Sequence, residues 1–227
     1  MRIRTSILLL LASISCYCQS NQRIEDSIHI YWQPKIEINK DDFRFDGRKE
    51  PNAELYCQKV KLCACAATNI NIVIDTPKDS TSNAFEKIYI APVLEKTKSY
   101  IFGNDEDGIL QQKVVFDIEE WSARYARQQL EETLSQFGKR RGSIITWHKV
   151  VLQNARTERT KMIDQFTLDV YLQPKKNAYK NWRSKVDKLL KNLKKYATTE
   201  NECQRIMNGV PLDESLKQSI FLGDHHH

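Results

Sequence analysis

Apolar and polar residues alternate along three segments of the first hundred residues, with the period of two that is typical of strands with one buried face. These segments are 27–34, 55–75 and 85–93, and the second is long enough for one strand or two. Polar stretches rich in Asp, Lys, Ser and Asn separate them, as expected of turns. We therefore predict three or four strands in this part of the chain.

After these strands the spacing changes, and apolar residues recur every three or four positions, as on one face of a helix. Acidic residues at 105–107 suit a helix N-terminus, where they cap backbone N–H groups and interact favourably with the helix dipole. Glycines and basic residues at 138–142 end the pattern. We predict a helix from about Asp105 to Gln136 whose apolar side packs on the strands within 55–91.

Two more helical segments follow. Residues 143–172 favour a second long helix, although 166–172, FTLDVYL, also suits an extended segment. Residues 177–196 predict a third helix with one apolar face. Strands first and helices after are the order of an α+β domain, here with mostly antiparallel strands followed by long helices.

The N-terminal residues have the features of a secretory signal. Residues 7–14 are mostly apolar and follow two arginines, and this core is too short to cross a bilayer. We predict a signal peptide at 1–18 that directs export to the periplasm or the extracellular space. Cys16 offers an alternative, as a lipidated cysteine that anchors the chain to the envelope. No later apolar run reaches membrane-spanning length, so we predict no transmembrane segment.

Removal of the signal leaves a single domain at 19–224, enough for a sizeable core, and a His-rich tail at 225–227. The net charge of +6 is mild, and we expect no nucleic-acid partner for an exported chain. Basic residues cluster at 175–195, which holds nine Lys or Arg and one acid. This segment suits contact with an anionic surface, such as lipopolysaccharide, a lipid headgroup or an acidic partner, or else forms the solvated side of an amphipathic helix.

Four cysteines follow the signal: Cys57, Cys63, Cys65 and Cys203. An even set in an exported protein favours disulfides over buried thiols or a metal site. Cys63 and Cys65 are two apart on a predicted strand, which places them on the same face about 6.5 Å apart, so they pair poorly with each other. We predict that one of them bonds to Cys57 or Cys203.

The segment FDIEEWSAR, residues 116–124, resembles part of the motif of a family of secreted bacterial proteins, the DUF922 family, which are predicted to be zinc peptidases. Its helix reads roughly H-E-Q-x-H-F-D-I-x-E-x-x-A-R, and the second part matches here at Phe116, Asp117, Ile118, Glu120, Ala123 and Arg124. Other segments within 28–195 are similar in the same order, among them YWQPKIEINKDDFRFDG and NAYKNWRSKV. The resemblance implies a zincin-like peptidase scaffold.

The first part of the motif is lost. The family's two histidines are the expected zinc ligands and its glutamate the expected base, and the aligned positions here are Gln111, Gln112 and Val115. Valine has no lone pair, and a neutral amide neither serves as a charged ligand nor accepts a proton near neutral pH. We therefore expect no catalytic residue, no metal ligand and no cofactor at these positions.

The remaining candidates for chemistry are few. His29 on a predicted strand and His148 near a helix start are more typical of structural or exposed histidines than of ligands. Asp117 and Glu120 are three apart and can share a helix face as a residual polar site with Arg124. The simpler interpretation is an ion pair between Glu120 and Arg124, which are four apart.

Three functions are compatible with these patterns. The first is an exported, non-catalytic, peptidase-like domain, a pseudoenzyme that binds a protein or another envelope component. The second is a hydrolase that uses a different site around Asp117 and Glu120. The third is a structural envelope protein without a ligand site. The lost motif favours the first and argues against an enzyme.

Overall fold

The computed structural model describes residues 23–79, 81 and 84–223, so the predicted signal peptide at 1–18 and the tail at 225–227 lie outside the described residues. The protein is mixed α/β with antiparallel strands. Its strands are β1 (His29–Tyr31), β2 (Ala64–Cys65), β3 (Thr68–Pro77), β4 (Lys87–Glu95), β5 (Tyr100–Ile101) and β6 (Leu216–Gly223). Its α-helices are α1 (Ala53–Val60), α2 (Glu106–Phe137), α3 (Ser143–Thr167), α4 (Ala178–Asn192) and α5 (Glu200–Asn208).

The larger sheet has the strand order β1-β4-β3-β6, and all its neighbours are antiparallel. Its central pair, β3 and β4, places Ile72 opposite Ile90. A smaller sheet pairs β2 with β5. The predicted strands at 27–34 and 85–93 are thus confirmed, with slightly different ends.

Helices cover both faces of the larger sheet. On one face, isoleucines of β3 and β4 pack against α2 and α3, in a cluster that includes Ile70, Ile72, Ile90, Ala123, Ala126, Leu130 and Val151. On the other face, α5 packs through Cys203 and Ile206 against Val73 and Ala91. The predicted packing of the long helix on the strands is therefore confirmed.

Helix α2 begins where the acidic residues predicted it. The side chain of Asp105 accepts a hydrogen bond from the backbone N of Gly108 at 2.9 Å and caps the first turn. The helix ends at Phe137, and Gly138 follows with a φ of 82°, a conformation that favours glycine. The predicted helix from about Asp105 to Gln136 is confirmed.

The prediction of strand for all of 55–75 is wrong in its first part. Residues Ala53–Val60 form α1, and β3 begins only at Thr68. Ala, Glu, Leu, Gln and Lys are strong helix formers, and this local preference outweighs the short apolar alternation around Val60. Lys61 ends the helix in the left-handed conformation with a φ of 61°.

The second and third predicted helices are confirmed, as α3 and α4. The extended alternative for 166–172 is wrong, because α3 continues as a π-helical turn over Leu168–Leu172. Among the helices that the structure describes, none is both long and apolar enough to cross a membrane.

The last elements, α5 and β6, were not predicted, and β6 returns to the edge of the sheet beside β3. A buried ion pair joins α5 to that sheet. Arg205 donates from Nε to Asp75 Oδ2 at 2.8 Å and from Nη2 to Asp75 Oδ1 at 2.5 Å, and both side chains are fully buried.

A disulfide joins Cys57 on α1 to Cys63, just before β2, and this confirms the prediction that one of the neighbouring cysteines bonds to Cys57 or Cys203. Cys65 and Cys203 are free thiols. The predicted strand position of Cys63 is wrong, since Cys63 precedes β2. The bond ties the short helix α1 to the small sheet.

Candidate functional site

Helix α2 carries the residues that the sequence singled out, and it contacts β3, β4, α3 and α4. Three of its carboxylates, Asp117, Glu119 and Glu120, are at most 4% exposed. Such groups need partners, because an unpaired charge is costly in a low-dielectric interior. The partners of each carboxylate therefore decide what this region can do.

Gln112, which the resemblance aligns with a glutamate, holds two parts of the fold together. Its Oε1 accepts a hydrogen bond from the backbone N of Ala66 at 2.9 Å, next to β2. Its Nε2 donates to the hydroxyl of Tyr171, in the π-helical turn, at 3.3 Å. Gln112 is only 4% exposed, so its amide is a buried structural link.

The two positions aligned with the family's histidines lie one turn apart on α2. Val115 is 8% exposed and belongs to an apolar cluster with Val114, Ile118, Phe166, Tyr171, Trp182 and Val186. Gln111 is half-buried, and its side chain makes no hydrogen bond with any residue that the structure describes. These residues do not fit a zinc ion, because they offer neither an imidazole nor a charged oxygen.

The two histidines of the described domain do not supply a replacement. His29 lies on β1, where its Nδ1 is 3.3 Å from Asp26 Oδ2. His148 is 1% exposed on α3, and its Nδ1 is 3.0 Å from the backbone O of Ile144. Within residues 23–79, 81 and 84–223, no three His, Cys, Asp or Glu side chains gather so that they could hold a metal ion.

Asp117 joins three distant parts of the chain. Its Oδ1 accepts hydrogen bonds from Trp32 Nε1 at 2.7 Å and from Lys113 Nζ. Its Oδ2 accepts from Arg183 Nη1 on α4 at 2.6 Å. Two cations therefore neutralise Asp117, and the indole fixes its orientation. A carboxylate held in this way is a structural anchor between α2, α4 and the segment of Trp32.

Glu120 is paired with Arg124, as the four-residue spacing predicted. Arg124 Nε donates to Glu120 Oε1 at 2.7 Å, and Arg124 Nη1 donates to the backbone O of Leu190 at 2.5 Å. The same guanidinium lies 5.3 Å from the centre of the Trp32 ring. Trp32 thus contacts both Asp117 and Arg124.

Thr198 completes the shell of Glu120. Its backbone N donates to Glu120 Oε1 at 3.0 Å, and its hydroxyl donates to Glu120 Oε2 at 2.5 Å. Arg127 donates to the Thr198 hydroxyl at 3.0 Å and to Glu202 at 3.1 Å, so both arginines belong to one network. Burial raises the pKa of the Glu120 carboxyl, while Arg127 and Arg124 oppose the rise.

Glu119 was missed by sequence reasoning. It is 1% exposed, accepts a hydrogen bond from the Thr68 hydroxyl at 3.0 Å, and pairs with Arg159 Nη1 on α3 at 3.2 Å. Burial raises the pKa of this carboxyl, and Arg159 opposes the rise. Its helix face, shared with apolar Phe116 three residues before and Ala123 four residues after, was the available signal. The partners, 51 and 40 residues away, could not be read from the chain.

The outer side of α4 has a different character. Lys180, Lys188 and Lys191 are exposed on this helix, and we call this side the lysine face. The inner side of α4 packs Trp182 and Val186 into the apolar cluster of α2. Helix α4, within the basic segment 175–195, is therefore amphipathic.

Helices α2 and α4 thus carry two groups of charged side chains, the buried carboxylates of α2 and the lysine face of α4. The first is closed, because the described partners of each carboxylate hold it in place. The second is open to solvent. Comparison with protein-family models, with curated proteins and with solved structures found no match to this chain.

Proposed function

We propose that the chain is an exported, non-catalytic domain on a zincin-like, peptidase-like scaffold, and that it acts by binding a partner at the cell envelope. The observation that carries the proposal is the use of Gln112 and Val115. The first is a buried link between β2 and the π-helical turn, and the second is part of an apolar cluster. Both positions are occupied by packing where a zinc peptidase needs a base and a ligand.

The state of Asp117 and Glu120 argues against a hydrolase with a different site. A general base needs a free lone pair directed at its substrate. Asp117 accepts from an indole and two cations, and Glu120 accepts from Arg124 and Thr198. Freeing Glu120 would leave the buried Arg124 without its counter-charge, and freeing Asp117 would leave Lys113 without its described carboxylate.

The first test is calorimetric titration of zinc into the chain lacking residues 225–227. We expect no stoichiometric binding, because the described side chains form no ligand set. The intact chain is the positive control, since three adjacent histidines can bind metal on their own. Stoichiometric binding by the shortened chain that is lost in His29→Ala or His148→Ala would overturn the proposal.

The second test addresses hydrolysis. A panel of peptide and ester substrates should show no turnover above the uncatalysed rate. Turnover by the wild type that disappears in Asp117→Asn, while the variant keeps the wild-type circular dichroism spectrum, would replace the proposal with the hydrolase alternative. If the protein binds no envelope component, the alternative of a structural envelope protein without a ligand site would replace the proposal.

A further inference from the structure

The positive charge of α4 lies on one side of the helix. At 100° per residue, Lys180, Lys188 and Lys191 fall within an arc of about 80°, so they project in similar directions. Lys176 just before the helix and Lys194 just after it are also exposed. Within the part of the chain that the structure describes, none of these five lysines forms an ion pair with a carboxylate.

The other charges of the segment are already engaged. Asp187, its one acid, pairs with Arg183 at 2.6 Å. Lys185 Nζ lies 4.0 Å from the centre of the Trp182 ring. Lys175 and Lys195 pair with Asp169 and Glu131. The lysine face therefore keeps an uncompensated positive charge in the folded protein.

The lysine face extends along one side of the helix. A helix of 15 residues is about 22 Å long. A surface depression of about 430 Å³ near its start is lined by Gln165, Asp169, Lys175, Asn181, Trp182 and Lys185, and the three lysines of the face are not in that lining. The face is thus a row of charges that lies outside this depression.

We propose that the lysine face binds the anionic headgroups at the surface of a phospholipid bilayer. Ammonium groups on flexible stems are non-directional point charges and suit a diffuse layer of phosphates, whereas specific recognition of a protein carboxylate favours the fork of arginine. Arg183, the arginine of α4, already bridges Asp117 and Asp187. An acidic protein partner is the competing occupant.

Binding at this face is electrostatic and peripheral. The apolar side of α4 is buried through Ala178, Trp182 and Val186, so the helix cannot insert into the bilayer as a free amphipathic helix does. The attraction should therefore weaken steeply with salt, since screening lengths fall from about 10 Å at 0.1 M to about 3 Å at 1 M. This inference names a partner for the proposed binding domain, and in that respect alone it rests on the proposed function.

The test is sedimentation of the full chain with lipid vesicles. Vesicles of phosphatidylcholine containing about 30 mol% phosphatidylglycerol are compared with pure phosphatidylcholine, in low and high salt. We expect preferential binding to the anionic vesicles that high salt abolishes. In the triple variant Lys180→Gln, Lys188→Gln and Lys191→Gln, the ratio of binding to anionic over neutral vesicles should fall by about 100-fold, because each lysine near an anionic surface contributes about 1 kcal/mol.

A matched control removes the same charge elsewhere. Lys59 on α1, Lys78 just after β3 and Lys149 on α3 are exposed, and none pairs with a described carboxylate. Their triple change to Gln should alter the preference by less than about threefold. Circular dichroism and urea unfolding verify that both variants fold, and the ratio between the two vesicle types cancels the contributions to binding that do not depend on lipid charge.

Several outcomes would overturn the proposal. These are equal loss in both triple variants, equal binding to both vesicle types, or no binding to anionic vesicles in low salt. Binding to soluble polyglutamate without binding to anionic vesicles would assign the face to an acidic protein partner instead. Zinc titration separates the two proposals, because stoichiometric zinc binding would remove the pseudoenzyme assignment while leaving vesicle binding unaffected.

Discussion

Replacing Gln112 with leucine tests whether the two buried hydrogen bonds of this residue stabilise the fold. The change keeps a side chain of similar size and removes both hydrogen bonds. The backbone N–H of Ala66 would lose its acceptor, and the Tyr171 hydroxyl would lose its partner. Gln112, Ala66 and Tyr171 are all buried, so water replaces these bonds poorly.

The expected cost follows from those two groups. A buried donor without an acceptor costs about 1–3 kcal/mol, and a lost hydrogen bond of the hydroxyl costs about 1 kcal/mol more. We expect Gln112→Leu to lower the free energy of unfolding by about 2–4 kcal/mol, out of the 5–15 kcal/mol typical of a domain. Tyr171→Phe removes only the second bond and should cost about 1 kcal/mol.

Equilibrium unfolding in urea, followed by circular dichroism, measures these differences. Gln111→Leu is the matched control, because this neighbour is half-buried and its side chain has no hydrogen-bond partner among the described residues. It should stay within about 0.5 kcal/mol of the wild type. If Gln112→Leu is as stable as the wild type, or if Gln111→Leu is destabilised equally, the hydrogen bonds of Gln112 are not what fixes this residue.

Three further predictions concern other links. Asp75→Asn should lower the free energy of unfolding, measured in urea, by about 3–5 kcal/mol, because it leaves the Arg205 guanidinium buried without its counter-charge. An unchanged urea midpoint would contradict this. Replacing both cysteines of the disulfide with serine should cost about 2 kcal/mol in the same assay, from the entropy of the short loop that the bond closes, and no loss would refute it. Hydrogen bonds from Lys175 and Trp182 lower the pKa of Asp169 to about 2. Ionised Asp169 should contribute its full stabilisation of the fold above the unfolded-state pKa of about 3.9, and this contribution should be lost as pH falls from there through 2. In Asp169→Asn the urea midpoint should therefore depend less on pH in that window.

The elements that the sequence predicted well are those with long, regular patterns. Helix α2 shows helical spacing over 32 residues and an acidic first turn. Helix α1 has only 8 residues, and at that length a helix and a strand give similar apolar patterns. The signal for α5 was present but overlooked, since Thr199 and Glu202 form a capping box just before apolar Ile206.

The polar network of α2 was predictable only where its partners lie on the same helix. Glu120 and Arg124 are four residues apart, and this spacing alone predicts their contact. Asp117 meets Trp32, which is 85 residues away, and Arg183, which is 66 residues away. Such pairs depend on how the helices pack on the sheet, and no local pattern encodes them.

The burial of α2 also explains what the resemblance to a peptidase motif can mean. The six positions that carry it are all between 0% and 5% exposed: Phe116, Asp117, Ile118, Glu120, Ala123 and Arg124. The apolar ones fill the core, and the charged ones join Trp32, Thr198 and α4 to the helix. These residues therefore have structural roles whether or not zinc binds, because truncating a large apolar one would open a cavity and removing a charged one would leave its buried partner unpaired. A helix can thus carry residues that resemble this half of the motif without any catalytic role, and at the positions aligned with the other half this chain has a hydrogen-bonded glutamine and a packed valine.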